Sequence, residues 1–433
     1  MISPRLRSEF PALDARSPDG PIAYLDSACM SLVPRPVLAA MEEYYTQFPG
    51  CAGRSRHRFS TEAGERVEAA RAAFGQWFGL GDAGPVVFLR NATEAINLVA
   101  RGYPWRRGDR VLVSDQEHNS NLVVWQQLAS ERRLRLHSFA LRDDGRFDVD
   151  HFADEVDRLR PRLISLFHTS NLDGRSLPVR AIAEIAHDRG AATLFDGCQA
   201  APHESVDLKR LGADYYAVSA HKMLGPTGVG LLLSTPGGLD RIAPLNLGGE
   251  TVEWTTQDRH QLRPPPYRFE AGLQNYAGIL GAHAGLRFLA RVGLEEIRSH
   301  QERLNALATR ALADDPRFSV LGPSAPHERP SILGFTLDGV DPHDAAVFLD
   351  EGYRVLVRSG QHCVHSWYAG RGLTGSVRAS FYLYNTATEI RRFIRGVQEL
   401  LDRIPARSAP GTVRASGRRS GRSRGPGRRA GPS

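Results

Sequence analysis

Cysteine is scarce in this chain: four residues, Cys29, Cys51, Cys198 and Cys363, are scattered through 433. No two stand at the close spacing of a metal-ligand pair, and they are too sparse for a disulfide framework. Separate thiols are therefore expected, and in a reducing compartment one that matters is reactive rather than structural. Long apolar runs are missing as well. No stretch approaches the roughly eighteen residues of a membrane-crossing helix, and the opening Met1-Ile2-Ser3-Pro4-Arg5-Leu6-Arg7 lacks the apolar centre of a secretory signal. These absences lead us to expect a cytoplasmic protein without membrane contact. No internal repeat is found, and low complexity is confined to the C-terminal end.

The length suffices for two domains, and 41% hydrophobic with 24% charged residues is the composition of an ordinary soluble globular chain. The formal charge of +7 resembles that of a nucleic-acid binder, but eight arginines lie between Arg407 and Arg429 with no acidic residue or lysine among them; without them the formal charge is −1. The tail is rich in Arg, Gly, Ser and Pro, cannot bury a core, and is expected to be disordered. Clustered arginines gain from counterion release on a polyanion. We nevertheless favour a solvated extension with no selected partner over one that contacts nucleic acid.

From about Tyr24 onward, strand-like apolar runs alternate with helix-like stretches, the pattern of a mainly parallel sheet covered by helices. Strands are expected at Val86–Leu89, Arg110–Val113, Leu163–Phe167, Ala191–Phe195 and Gly230–Leu233, and helices at Thr93–Tyr103 and Arg180–Arg189. Beyond Pro264-Pro265-Pro266, a helical stretch from Tyr276 to about Leu312 leads into a smaller α+β region that ends in a helix over Ala387–Leu401.

The chemistry is most narrowly limited by two residues. Asp196 ends an apolar strand, and Lys222 follows 26 residues later in Ser219-Ala220-His221-Lys222. A lysine able to bond an aldehyde and a carboxylate that keeps a pyridine ring protonated are the two groups that pyridoxal 5′-phosphate demands. Taken singly, each has a plainer reading, as a turn-capping aspartate and a surface lysine.

Other loops follow successive strands, where open α/β sheets place ligands. Asn91-Ala92-Thr93-Glu94 opens a helix whose free N–H groups, with the Thr93 hydroxyl, suit a phosphate; a simple N-cap is the alternative. His118 suits stacking on a pyridine ring and proton handling, against the plainer reading of a surface loop histidine. Asn171 and Gln199 supply amides suited to the cofactor's phenolic oxygen. Arg378 offers the planar fork that grips a carboxylate, or else an ordinary salt bridge. Cys363, beside His362 and near Arg358, stands in surroundings that favour thiolate, or is a small core residue.

Together these segments resemble the class V aminotransferases, and most closely the cysteine desulfurase and selenocysteine lyase branch with the short active-site loop. The resemblance runs from Tyr24-Leu25-Asp26-Ser27-Ala28 to Tyr384-Asn385-Thr386. Its most specific marks are Ser219-Ala220-His221-Lys222 with Gly225-Pro226-Thr227-Gly228, Arg268-Phe269-Glu270-Ala271-Gly272, and Gln361-His362-Cys363. It implies an α/β, aspartate aminotransferase-like fold with a mainly parallel seven-stranded sheet. The implied divisions are an N-terminal segment over 1–25 packing with the small domain, a large cofactor domain over 26–285, a small α+β domain over 286–404, and the tail over 405–433.

By the same resemblance, Lys222 is the cofactor-bonding lysine and proton shuttle. His118 is the stacking acid/base residue, Asp196 the partner of the pyridine nitrogen, and Gln199 the partner of the phenolic oxygen. Thr93, Ser219 and His221 hold the phosphate, and Ala92 also contacts the cofactor. Asn171, Arg378, Arg358 and His57 serve the substrate, and Cys363 takes its sulfur. L-Cysteine becomes L-alanine, and a persulfide left on Cys363 passes to an acceptor, often a dedicated partner protein. The scheme calls for no metal. Members of the branch are homodimers with the active site at the subunit interface, so a homodimer is expected here.

Some residues depart from the family pattern. Leu273 stands where a threonine usually reaches the neighbouring subunit's phosphate, a contact worth about 1 kcal/mol. Gln361, Cys198 and Asp173 replace a usual histidine, alanine and apolar residue. Two competitors follow: a class V enzyme (aminotransferase, epimerase or carbon–sulfur lyase) acting on another amino acid or a secondary-metabolite intermediate, with Cys363 a bystander, and a catalytically silent, RNA-associated scaffold.

Overall fold

The computed structural model describes residues 4–13, 20–53, 55–81, 85–142 and 146–403. The arginine-rich tail and parts of the N-terminal segment lie outside the described residues. In chain order the strands are β1 (Ala23–Tyr24), β2 (Val86–Leu89), β3 (Arg110–Ser114), β4 (Arg135–Phe139), β5 (Leu163–Phe167), β6 (Ala192–Asp196), β7 (Tyr215–Ser219), β8 (Gly230–Ser234), β9 (Val252–Thr255) and β10 (His260–Leu262). They continue with β11 (Phe318–Val320), β12 (Ile332–Leu337), β13 (Val355–Leu356), β14 (Arg358–Gly360) and β15 (Ser376–Ser380). The helices are α1 (Arg35–Gln47), α2 (Arg58–Trp77), α3 (Ala92–Gly102), α4 (Asn119–Arg132), α5 (Val149–Leu159), α6 (Val179–Asp188), α7 (Leu208–Leu211), α8 (Tyr276–Val292), α9 (Leu294–Leu312), α10 (Pro342–Tyr353), α11 (His365–Arg371) and α12 (Ala387–Asp402).

Seven strands form one sheet in the order β2-β8-β7-β6-β5-β3-β4. It is parallel from β7 to β4, while β8 runs antiparallel to both β7 and β2. Every residue of β5, β6, β7 and β8 is buried, as a sheet covered on both faces requires. Side chains alternate between two cores. Leu194 and Tyr215 pack with Val99 and Trp125 on one face, whereas their neighbours Phe195 and Tyr216 pack with Phe74, Phe152 and Leu286 on the other.

A second, antiparallel sheet has the order β11-β12-β15-β14. A separate core that includes Leu304 of α9, Leu349 of α10, Phe335 of β12 and Phe393 of α12 packs against it. The N-terminal part ties into this region: β1 pairs in parallel with β13, and Arg7 meets Glu389 at 2.8 Å. The helical stretch expected over Tyr276 to about Leu312 is two helices. Gly293, at φ 88°, turns the chain between α8 and α9; a residue with a Cβ is strained in that conformation. No helix among the described residues is long and apolar enough to cross a membrane.

One buried ion pair fastens the sheet edge. Arg71 of α2 donates to both carboxylate oxygens of Glu270, at 2.6 and 3.0 Å, and to the Val86 carbonyl at 2.7 Å. Glu270 also accepts from the Phe88 N–H at 2.7 Å, so α2, β2 and the turn at Glu270 form one unit. Removing one member strands the other charge away from water. Arg71→Ala is therefore expected to lower the unfolding free energy of the full chain in urea by about 3–5 kcal/mol. A loss below about 1 kcal/mol, the range of a solvated pair, would contradict this role.

Candidate active site

A cleft with about 700 Å³ of open space lies between the two sheets' loops, and Asn91, Ala92, Thr93, His118, Asn171, Asp196, Ser219, His221, Lys222, Arg358, Cys363 and Arg378 are among the residues that line it. Register brings their elements together. Asp196, last residue of β6, stands opposite Phe167, last residue of β5, and opposite Ala217 of β7, so β5 and β6 end at one level and β7 runs two residues further. Its Oδ1 accepts from the Cys198 N–H at 3.0 Å, within the turn that leaves the strand.

Directly after β7, the chain passes through a tight turn, Ala220–Lys222. Ser31 pins that turn: its N–H and hydroxyl both donate to the His221 carbonyl at 2.9 Å, and its Oγ accepts from the Leu224 N–H at 2.9 Å. Lys222 is half-buried and has no hydrogen-bond or ion-pair partner among the described residues.

The phosphate-type turn is built from α3 and its neighbours. Asn91 caps the helix by accepting from the Glu94 N–H at 3.0 Å, Ser219 Oγ accepts from the Ala92 N–H at 2.9 Å, and Thr93 Oγ1 meets Ser120 Oγ at 2.7 Å. Gly230 lets β8 pass close beneath it, since a Cβ there would lie 2.4 Å from the Asn91 backbone. N–H groups at the positive end of a helix, with hydroxyls beside them, fit a phosphate. The donor set as a whole fits pyridoxal phosphate. It combines this anion cradle with a carboxylate at a strand end, a ring-bearing histidine and an unpaired lysine in one cleft.

His118 caps α4: its Nδ1 accepts from the Ser120 N–H at 3.1 Å, which leaves the proton of a neutral ring on Nε2. Burial and the nearby Lys222, opposed by Asp196, hold the ring down to about 4. His221 is likewise held down to about 4 by burial and Lys222. Both are neutral at pH 7.

Arg378 is buried. It donates to the Asn171 carbonyl at 2.8 Å and to Asp26 at 3.4 Å, while its buried Nε has no partner among the described residues. Asn171 in turn donates to the His362 carbonyl at 2.7 Å. His362 and Cys363 are both left-handed, at φ 49° and 60°, a conformation that non-glycine residues adopt in succession only when their surroundings hold them. The holding contacts are the Asn171 amide, the Asn119 N–H on the Cys363 carbonyl at 2.7 Å, and Ser376 on the His362 ring at 2.9 Å.

Three side chains are directed differently from expectation. His57 does not reach this chain's cleft; it is exposed and caps α2, accepting from the Ser60 N–H at 3.3 Å. Gln199 is absent from the lining, because its amide turns to the Ala28 carbonyl at 2.7 Å and its buried Oε1 faces no partner among the described residues. Arg358 turns to Cys29 Sγ at 3.2 Å, rather than to Cys363.

The sequence reading had also passed over Asp26, which meets both arginines, and Cys29, which lines the cleft. One unused signal would have strengthened the choice of lysine: the chain contains two lysines in all, Lys209 and Lys222.

Residues 23–393 match the family model for Aminotransferase class-V. The chain belongs to the class V aminotransferase family. A cysteine desulfurase of Klebsiella pneumoniae is 35% identical over 405 residues, 92% of this chain and 97% of that one. Among solved structures, a cysteine desulfurase of Thermococcus onnurineus gives a TM-score of 0.88 at 33% identity, over 93% of this chain and 98% of that one. Another from Escherichia coli gives 0.84 at 32% identity, over 93% and 99%. This class V member thus has the aspartate aminotransferase-like fold.

The neutral His118 has a consequence for stability. Its ring titrates at about 4 in the fold, under the influence of burial, Lys222, Asp196, Arg378 and His365, and near 6.5 when unfolded. Between those values the unfolded chain binds the extra proton, so the folded state loses ground as pH falls. His118→Gln removes that loss. The stability gap between wild type and variant in urea is expected to narrow from pH 7 to about pH 4.5; a gap independent of pH would contradict it.

Proposed function

We propose that the cleft converts L-cysteine to L-alanine and leaves the sulfur as a persulfide on Cys363. The observation that carries this reading is the meeting in one cleft of an unpaired Lys222, Asp196, the buried Arg378 and Cys363. The cysteine desulfurases of similar sequence and fold support it. The chain is a pyridoxal-phosphate enzyme. Asp196 would hold the ring nitrogen, Thr93, Ser219, His221 and the N-terminus of α3 would hold the phosphate, and Lys222 would supply the amine for the aldehyde. When bound, the cofactor draws electrons from the substrate's carbon skeleton.

The chain's own groups do the rest. The guanidinium of Arg378 and the Asn171 side chain hold the substrate carboxylate, and Arg358 adds positive charge at the cleft mouth. Lys222 moves a proton through Nζ, and neutral His118 holds one on Nε2. Cys363 attacks the substrate sulfur: a sulfur–sulfur bond forms, the carbon–sulfur bond breaks, and its electron pair goes to the carbon skeleton, which takes up a proton there and leaves as alanine. The left-handed pair His362-Cys363 keeps the thiol on a fixed turn.

The assembly is a homodimer in the cytoplasm. Leu38 and Tyr45 of α1, Leu247, Trp254 of β9, and Leu273 are large apolar residues 42–64% exposed, which suits burial against a second copy. Leu273 there offers an apolar contact in place of the family's threonine. The persulfide passes to a sulfur-acceptor protein. The chain divides into a cofactor domain up to about 285 and a small domain from about 286 to 404.

Two measurements test the activity. With L-cysteine and a thiol reductant, Cys363→Ala holoprotein is expected to lose at least about 100-fold in sulfide release while keeping its cofactor absorbance. Undiminished release would make Cys363 a bystander and favour another class V chemistry. Arg378→Ala is expected to raise KM for L-cysteine about 10- to 100-fold, the worth of hydrogen bonds to a charged group. An unchanged KM would remove Arg378 from the carboxylate site.

A further inference from the structure

Three of the chain's four cysteines, Cys29, Cys198 and Cys363, line the same cleft. They are not equivalent. Cys198 is buried, and burial with the nearby Asp196 pushes its thiol up to about 12, so it stays protonated. Cys29 and Cys363 are both partly open to solvent. The cleft therefore holds two accessible thiols on different parts of the chain, one after β1 and the other after β14.

Cys29 stands in a built environment. It sits in the tight turn after Asp26, where its N–H donates to the Asp26 carbonyl at 3.0 Å. The Ala28 N–H beside it is held by Ser380 Oγ at 2.9 Å. Arg358 Nη1 donates to its sulfur at 3.2 Å, and the same guanidinium lies 3.9 Å from Asp26. Arg378, buried and with its Nε unpartnered among the described residues, contacts the other carboxylate oxygen of Asp26. The segment that carries Cys363 is tied to Arg378 through Asn171, which accepts from the guanidinium and donates to the His362 carbonyl. Cys29 thus meets a guanidinium in a cleft that Cys363 and both arginines line, and that positive charge would stabilise anionic sulfur.

We propose that Cys29 is a second sulfur carrier, which receives sulfane sulfur from the persulfide on Cys363. This rests on the desulfurase reading above. The Cys29 thiolate attacks the terminal sulfur of the Cys363 persulfide; a sulfur–sulfur bond forms at Cys29, the one at Cys363 breaks, and Cys363 departs as thiolate with the electron pair. The exchange is redox-neutral and needs no outside oxidant. It returns Cys363 to its attacking form before an acceptor arrives.

The test uses holoprotein and L-cysteine without an acceptor, quenched at intervals with an alkylating agent and mapped by peptide mass. Added sulfur is expected on Cys363 first and on Cys29 later, and the total bound is expected to fall from about two atoms per chain to about one in Cys29→Ser or Cys29→Ala. In Cys363→Ser, Cys29 is expected to gain no sulfur. Sulfur that never reaches Cys29, or that reaches it in Cys363→Ser, overturns the relay while leaving desulfuration intact.

A second measurement needs no catalysis. Oxidation with diamide in the absence of L-cysteine is expected to join the Cys29 and Cys363 peptides by a disulfide; its absence overturns the relay. If the disulfide forms but L-cysteine yields neither alanine nor sulfur on either thiol, the desulfurase reading fails and the relay with it.

Discussion

Asp196 ends β6 opposite Phe167 and Ala217, and much of the cleft hangs on that register. Successive side chains of a strand alternate in face, so a slip by one residue would drive the carboxylate into a helix layer and bring Phe195 to the cleft. The alternation is enforced from both sides, because Leu194 and Phe195 belong to different cores and neither can trade places without exposing apolar surface. The buried carboxyl of Glu117 ties the level of the strands to the neighbouring loop. It accepts from Ser114 at the end of β3 at 2.6 Å, from the Phe167 N–H at 3.2 Å and from Asn121 of α4 at 2.7 Å. The next residue is His118. The same bonds that join the ends of β3 and β5 to the first turn of α4 thus set the histidine.

The electrostatics of the cleft follow from burial. His118, His221 and His362 are all held below the usual histidine range, first by desolvation and then by Lys222 or the arginines. Neutral rings leave the positive charge of the cleft to Lys222, Arg358 and Arg378, the groups suited to a phosphate and a carboxylate. The carboxyl groups beside them are Asp26, which meets both arginines, and Asp196. Burial raises the Asp26 carboxyl, and Arg378 and Arg358 pull it back down, so its charge depends on the arginines it supports.

Lys222, Asp196, Thr93, Ser219, Asn171, His118, Arg378 and Cys363 were legible in the sequence, most of them because each follows an apolar strand, and in a parallel sheet the strand ends share one edge. The direction of a side chain was not legible. Gln199 occupies the expected stretch, but its amide is claimed by the Ala28 carbonyl, 171 residues away in sequence. Arg358 was expected to influence Cys363, five residues on, yet donates to Cys29, 329 residues away. Cys29 and Glu117 drew no notice because neither stands in a pattern that announces chemistry. Their surroundings are made by distant segments.

Periodicity and strand-end residues, both local properties, determined the layered α/β architecture, the break into a smaller C-terminal region and the lysine–aspartate pair. Tertiary structure alone decided which thiols share a cleft, which carbonyl takes the Gln199 amide, and that Gly293 splits a long helical stretch. Those outcomes depend on hydrogen bonds and packing between residues far apart in the chain, and no local pattern encodes such distances.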